Sequence, residues 1–298
     1  MAGPNDPAVR KPAVAGMFYP ADAAQCRSLA ESFVKSAAQA SAQTDPGGIG
    51  GVVPHAGWIC SGAIAGEVIG TLAKGTSPDL VVVFGAVHTP VDLKVAALDS
   101  HATWQMPGGD CHVARSVAES LERESSAFAT DDRLHVREHA VEVEVPLIRA
   151  AWPNAELLPV EVPAIQNAAE IGQRTAQLVL NKGHRAVFLA SSDLTHYGPS
   201  YRFTPAGVGV AGLNWAKEND RRLLGMIERF EIEQIVPEVR SHYNACGAGA
   251  IAAMMAACKV AGAGLAKVLR HASSFETLAK VAPQPPVDAV GYAAVVVR

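Results

Sequence analysis

The sequence predicts an α/β fold built on a mixed, largely parallel sheet, and three observations carry that reading. Short apolar runs at 80–84 and 186–190 and a strand-like segment at 157–162 read as buried strands. Stretches of helical length and periodicity alternate with them, the signature of helices covering a parallel sheet. Three strand-like runs each deliver a histidine just past the carboxyl end: Val52-Val53-Pro54-His55, the 80–84 run leading to Gly85-Ala86-Val87-His88, and the 186–190 run leading to Ser191-Ser192-Asp193-Leu194-Thr195-His196. Ligands collect at strand ends in open α/β sheets. If these strands are parallel neighbours, the three imidazoles converge at one edge of the sheet.

In chain order, residues 1–20 read as an extended arm whose segment 13–20 tucks apolar side chains onto the domain. A helix is expected over 23–40, followed by a Gly/Pro/Ser loop over 41–48. After His55, Ser61 is the expected N-cap of a helix reaching about Ala73, with Gly75 placed to end it. The strand at 80–84 precedes His88, another short strand is expected at 95–98, a loop at 104–112 and a helix at 113–124. Residues 138–146 are ambiguous: alternating Val and Glu favour a strand, while the run on to Ile148 and Ala151 allows a helix. On either reading Glu142 and Glu144 belong to a solvated face or to a role beside the site. Strands at 157–162 and 185–190 enclose a helix at 168–180. Charged helices are expected over 213–229 and 232–243, an apolar helix opens at Cys246 and runs through Ala257, and strands at 267–269 and 290–297 close the chain. No internal repeat or linker divides residues 1–298, so one domain with an N-terminal arm is expected.

Composition narrows the function classes. The 298 residues carry a net charge of −4 and no basic run, which argues against a nucleic-acid groove. Cys26, Cys60, Cys111, Cys246 and Cys258 are odd in number and lack CxxC spacing, so neither a disulfide framework nor a zinc ribbon is indicated and a reducing compartment is expected. Residues 1–12 show no apolar signal segment, and the most apolar stretch, 245–264, carries Lys259 and several glycines, as a core helix does. A cytoplasmic protein without membrane or nucleic-acid partners is the expectation, with oligomeric state left open.

Neutral imidazoles suit iron, zinc, copper and nickel, and two or three of them with an anionic ligand form a metal site with open positions. Cys246, at or next to a helix N-terminus, can supply the anion, because unpaired backbone N–H groups favour its thiolate. The alternative is an inert buried thiol. Asp193 stands three residues before His196, where its carboxylate either orients the imidazole or caps the following turn.

The ordered set Ala15-Gly16-Met17-Phe18-Tyr19-Pro20, VVPHAGW (52–58), GAVHTP (85–90), EHAVEVEVPL (138–147), SSDLTHYG (191–198) and NACGAGAI (244–251) resembles the MEMO family, of the AmmeMemoRadiSam system protein B type. That family is related in fold to the class III extradiol ring-cleavage dioxygenases. The resemblance runs from Ala15 to Val290-Gly291-Tyr292-Ala293. It implies an αβα sandwich around the central sheet, with His55, His88 and Cys246 on the metal positions. His196 falls where the ring-cleaving enzymes place a catalytic histidine, and Asp193 and His139 match other pocket positions. Glu142, in the same motif as His139, is expected beside the site. Fe(II) is the first metal implied, with copper or zinc behind it. Two departures stand out: Thr89 follows His88 where the family often has a second histidine, and Ala140 replaces a common serine.

The leading functional expectation is a metal-dependent redox protein, non-haem iron dioxygenase-like, acting on a small substrate or a peptide. The alternatives are a non-catalytic metal- or partner-binding module and a cysteine hydrolase with Cys246 as nucleophile, His196 as base and Asp193 as its orienter.

Overall fold

Valine-rich runs bury both faces of a strand, and here they form the centre of the molecule. The structure, a computed structural model, describes residues 8–40, 48–279, 281–283 and 285–298. Its strands are Val9–Arg10 (β1), Gly50–Val53 (β2), Leu80–Gly85 (β3), Ala96–Leu98 (β4), Thr103–Trp104 (β5), Cys111–His112 (β6), Phe128–Thr130 (β7), Glu156–Glu161 (β8), Ala186–Ser191 (β9), His196–Tyr197 (β10), Ala266–Ser273 (β11) and Ala289–Val297 (β12). Nine of them make one sheet in the order β10-β12-β2-β9-β3-β8-β4-β7, with β11 on β12. The four central strands, β2, β9, β3 and β8, are all parallel. Antiparallel β12 and β4 flank them, so the sheet is mixed with a parallel centre.

Side chains alternate across that centre. Val82, Phe84, Leu158 and Val160 join one apolar cluster, while Val81, Val83, Leu157 and Leu189 join the other. Each fully buried side chain of this kind contributes roughly 1.5–3 kcal/mol. Helices Ala23–Ala40, Trp58–Gly75 and Val145–Ala151 cover one face, and Ala168–Asn181, Val210–Glu228, Ile232–His242 and Ala248–Val260 the other, giving three αβα layers. Helix Ala248–Val260 is buried on all sides from Ala248 to Cys258, as its lack of a polar face requires. It meets helix Ala168–Asn181 so closely that a Cβ on Gly172 would lie 1.8 Å from the Ala253 carbonyl oxygen. Among the described residues no helix is long and apolar enough to cross a membrane.

Three local expectations are corrected. Helix Trp58–Gly75 begins a turn earlier than a Ser61 cap would allow, with Gly57 at the N-cap and Ser61 Oγ donating to Ala56 O at 2.9 Å. The early start has a tertiary cause, since the Trp58 amide donates to Phe18 O of the arm at 2.7 Å. The 104–112 loop contains strand residues: β5 and β6 pair as a hairpin, and β1 adds to β5 in parallel. Residues 138–146 are not a strand, because Glu142–Glu144 form a 3-10 turn leading into helix Val145–Ala151. Glu138, Glu142 and Glu144 are 3%, 0% and 0% exposed, which removes the solvated-face reading. The arm is docked over its described part, with Val14 and Tyr19 buried. Gly16 at φ +83° makes the tight turn that lets its amide reach Tyr19 O at 2.7 Å. Residues 1–7 of the arm and 41–47 of the expected loop lie outside the described residues.

Candidate metal centre

Strands β2, β9 and β3 are adjacent and parallel, so the segments that leave their carboxyl ends meet on one edge of the sheet. His55 follows β2 and is 1% exposed. Its amide donates to Asp193 Oδ1 at 2.9 Å, and its Nδ1 lies 2.9 Å from Ser191 Oγ. The Ser191 hydroxyl donates its own proton to Ala140 O at 2.6 Å, so it accepts from His55 Nδ1–H. That leaves the His55 Nε2 lone pair as an acceptor, facing Cys246 Sγ at 3.3 Å. Burial, and then His88 and His139, hold the His55 pKa well below its usual value, which keeps the ring neutral.

His88 follows β3 and is gripped by Glu138, whose oxygens accept the His88 amide at 2.7 Å and lie 2.8 Å from Nδ1. The same carboxylate takes the amides of His139 and Ala140 at 2.8 and 3.2 Å. Burial opposes charge on both partners, yet their mutual bond holds Glu138 down to about 2. Bonds to Cys246 and Glu138 raise His88 to about 10 against the same burial. A carboxylate behind one imidazole nitrogen is the usual means of aiming the other at a metal.

His139 stacks on His88 with ring centroids 4.6 Å apart and lies 5.3 Å from the His55 ring. One ring nitrogen from each of His55, His88 and His139 falls within 4.8 Å of the others, so the trio could hold a metal ion. Cys246 places its Sγ 3.3 Å from His55 Nε2. Its amide donates to Asp193 O at 3.2 Å, its Sγ accepts the Asp193 amide at 3.3 Å, and Gly247 N donates to Ser192 Oγ at 2.9 Å. Helix Ala248–Val260 starts immediately after, with Gly247 at its N-cap.

Asp193 and His196 sit beside this group. Burial raises Asp193 to about 7, although the His55 and Ala56 amides favour its charge. His196 Nε2 is 4.0 Å from Asp193 Oδ2 and makes no hydrogen bond among the described residues. Burial first, and then the neighbouring His88 and His139, push His196 down to about 4. A cavity of about 540 Å³ opens here, lined by His196, Tyr201, Phe203, Tyr243 and Cys246 among others.

His55, His88, His139 and Cys246 are thus brought together, with His196 and Asp193 adjoining. Glu142 has a different place from the one expected. Its carboxylate accepts from Ala13 N, Val14 N and Tyr19 Oη at 2.7–2.9 Å and pairs with Arg10 at 2.7 Å, so it clasps the arm. Glu138 is the carboxylate that serves the histidines, and its only sequence signal was its position directly before His139. Ser191, which sets the His55 tautomer, opened the SSDLTHYG motif but was given no role from sequence. A second group, Asp99, His101 and Asp132, also clusters within 4.8 Å. Its oxygens are already engaged by His101 Nδ1 and Trp104 Nε1 on Asp99, and by the Ser100 amide and hydroxyl on Asp132. That group is a closed hydrogen-bond network, and the histidine trio is the better candidate.

Glu144 adds a buried acid whose two oxygens have no hydrogen-bond partner among the described residues. Burial, and secondarily Asp193, raise its pKa well above 4.5. The folded state therefore keeps a proton that the unfolded chain releases, so this contribution to stability is complete below pH 4.5 and declines as pH rises. Glu144→Gln should flatten the decline. Denaturant midpoints at pH 5 and pH 8 should differ less in the variant than in the wild type, and equal differences would show that Glu144 does not carry this proton.

A family model described as Memo-like protein matches residues 10–296. The chain belongs to the Memo family. Relatives named MEMO1 family protein agree over nearly their whole length. That of Methanosarcina mazei is 32% identical over 97% of this chain and 99% of its own. That of Methanosarcina barkeri is 31% identical over 97% and 100%, and that of Pyrobaculum arsenaticum 30% identical over 90% and 93%. The Memo match includes Arg10 of the arm and every residue of the histidine group, so arm and site fall within one family unit.

Proposed function

We propose that this Memo protein is a metal-dependent redox protein, dioxygenase-like in the class III extradiol sense, that holds one Fe(II) ion through His55, His88 and Cys246. Copper and zinc are the competing metals, and the substrate is a small molecule, or a side chain of a peptide, that enters the 540 Å³ cavity. The observation supporting this reading is the His55 Nε2 lone pair facing Cys246 Sγ at 3.3 Å, beside a His88 ring aimed by Glu138. Two imidazoles and a thiolate suit iron, zinc and Cu(I), and His139 adjoins as a further donor. A bound Fe(II) would supply Lewis-acid and one-electron chemistry at open coordination positions.

The protein's own part is positioning and proton handling. His196, neutral at physiological pH with a free Nε2, accepts a proton from a substrate hydroxyl in the cavity, and Asp193 next to it stabilises the resulting charge. Tyr201, 5.0 Å from the His196 ring, and Phe203 wall the cavity with apolar surface. A cysteine hydrolase would need Cys246 paired with His196, whereas the Cys246 thiol sits against His55.

The test is anaerobic loading with Fe(II), elemental analysis, and oxygen uptake with a panel of small phenolic and other polar compounds. About one ion per chain is expected, because the donor set leaves room for a single compact centre. His196→Ala should keep the metal and lower turnover by about 10²-fold. Failure to bind metal would sink the proposal. Metal bound without oxygen uptake would favour a non-catalytic metal-binding module, and a fall in metal affinity in His196→Ala would make His196 a ligand.

A further inference from the structure

We propose that the N-terminal arm is part of the metal centre, with Arg10 the positioning residue that holds the Glu138-to-Glu142 turn, and with it His88 and His139, in place. The proposal rests on the metal reading above.

Arg10 is 2% exposed, and a guanidinium is tolerated at that depth only when its donors are paired. Each arm of the fork goes to one segment. Nε donates to His135 O at 2.8 Å, Nη2 donates to Glu138 O at 2.8 Å, and Nη1 pairs with Glu142 at 2.7 Å. The guanidinium carbon lies 3.9 Å from the centre of the Trp104 ring, which closes the remaining face. Three bonds from one side chain thus span residues 135–142, the stretch that carries the Glu138 carboxylate behind His88 and the His139 ring itself.

Two further contacts bind the arm to the same site. Glu142, 0% exposed, takes the amides of Ala13 and Val14 and the Tyr19 hydroxyl in addition to Arg10. Undocking the arm would strip that carboxylate of these four partners. Phe18 packs its ring 4.9 Å from the His139 ring, and its carbonyl accepts the Trp58 amide at 2.7 Å, three residues beyond His55. The arm therefore reaches His88 through Glu138, His139 through Phe18, and the His55 turn through Trp58. Elsewhere β1 adds two residues to β5, and Met17 at the tip is 73% exposed. Arm docking and the geometry of the histidines are thus coupled, and coupling is reciprocal: a metal that tightens the histidines must tighten the arm.

The experiment measures Zn(II) affinity by calorimetry and hydrogen exchange of segment 8–20 with and without Zn(II). Arg10→Ala risks misfolding through the stranded Glu142, so Arg10→Lys and Phe18→Leu carry the test. Lysine keeps a charge for Glu142 but loses the fork to His135 O and Glu138 O. Both variants should bind Zn(II) about 10-fold more weakly, as loss of a ligand's supporting partner typically does. Lys11→Ala on the surface and Val34→Ala in the core, which destabilises without touching the turn, should bind as wild type. The Co(II) spectrum should shift in Arg10→Lys and not in Val34→Ala, and Zn(II) should slow exchange of the arm amides about 10-fold in the wild type. Wild-type Zn(II) affinity in folded Arg10→Lys and Phe18→Leu, or arm exchange indifferent to Zn(II), would overturn the proposal. If the wild type takes up no metal, the metal reading fails instead, and imidazole nitrogen resonances of the metal-free protein decide the arm's role. His88 and His139 signals must then move in Arg10→Lys and not in Val34→Ala; unmoved signals overturn it.

Discussion

Replacing either His55 or His88 with alanine is expected to reduce bound Fe(II) from about one ion per chain to a small fraction of that, because each removes one of the few donors of a compact centre. The two losses have different structural costs. His55 is buried and bonded at both its amide and Nδ1, so its ring also fills space between Ser191 and Cys246. His88 keeps 32% of its side-chain exposure and leaves behind a Glu138 still held by the His139 and Ala140 amides. His88→Ala should therefore fold nearly as well as wild type, while His55→Ala loses stability by the cavity route as well. Elemental analysis beside circular dichroism separates metal loss from unfolding. Full metal retention in both folded variants would remove these histidines from the proposed ligand set.

Addition of Fe(II) or Zn(II) is expected to shield Cys246 from iodoacetamide by more than about 10-fold, since thiolate is the alkylating species and coordination engages its lone pairs. The comparison is internal. Cys26, Cys111 and Cys258 are buried, and burial raises each thiol, to about 11 for Cys26 and about 12 for Cys111, so they label slowly with or without metal. Half-buried Cys60, also raised by burial, is the more accessible control. Peptide mass analysis reads each site separately. Cys246→Ser supplies the second arm, because a neutral hydroxyl replaces a thiolate poorly and should weaken Zn(II) binding substantially. Unchanged labelling together with unchanged affinity would mean that Cys246 is not a ligand, and would return it to the role of a free nucleophile.

The sequence alone determined the strands of the sheet and that His55, His88 and His196 follow strand ends, while the strands' adjacency and the place of His139 in the close trio were decided by the fold. Valine runs buried on both faces have one stable use, the centre of a covered sheet, and adjacency of the parallel strands β2, β9 and β3 then brings the segments beyond them to one edge. Cys246 ahead of an apolar helix was legible for the same local reason, as was that helix's burial. Tertiary structure alone decided how the acids of Glu138-His139-Ala140-Val141-Glu142-Val143-Glu144 are shared out. Alternation reports a two-residue period and says nothing about which buried carboxylate finds which donor. Glu138 turned to His88, 50 residues away, Glu142 to the arm, and Glu144 to no hydrogen-bond partner among the described residues. The same limit explains Ser61, since the amide that starts its helix is satisfied by Phe18, and it explains Arg10, whose bonds span 125 and 128 residues of chain. Local sequence encodes burial through periodicity; a hydrogen-bond partner that distant in the chain is encoded only by the packed fold, where an unpaired buried charge costs too much to leave.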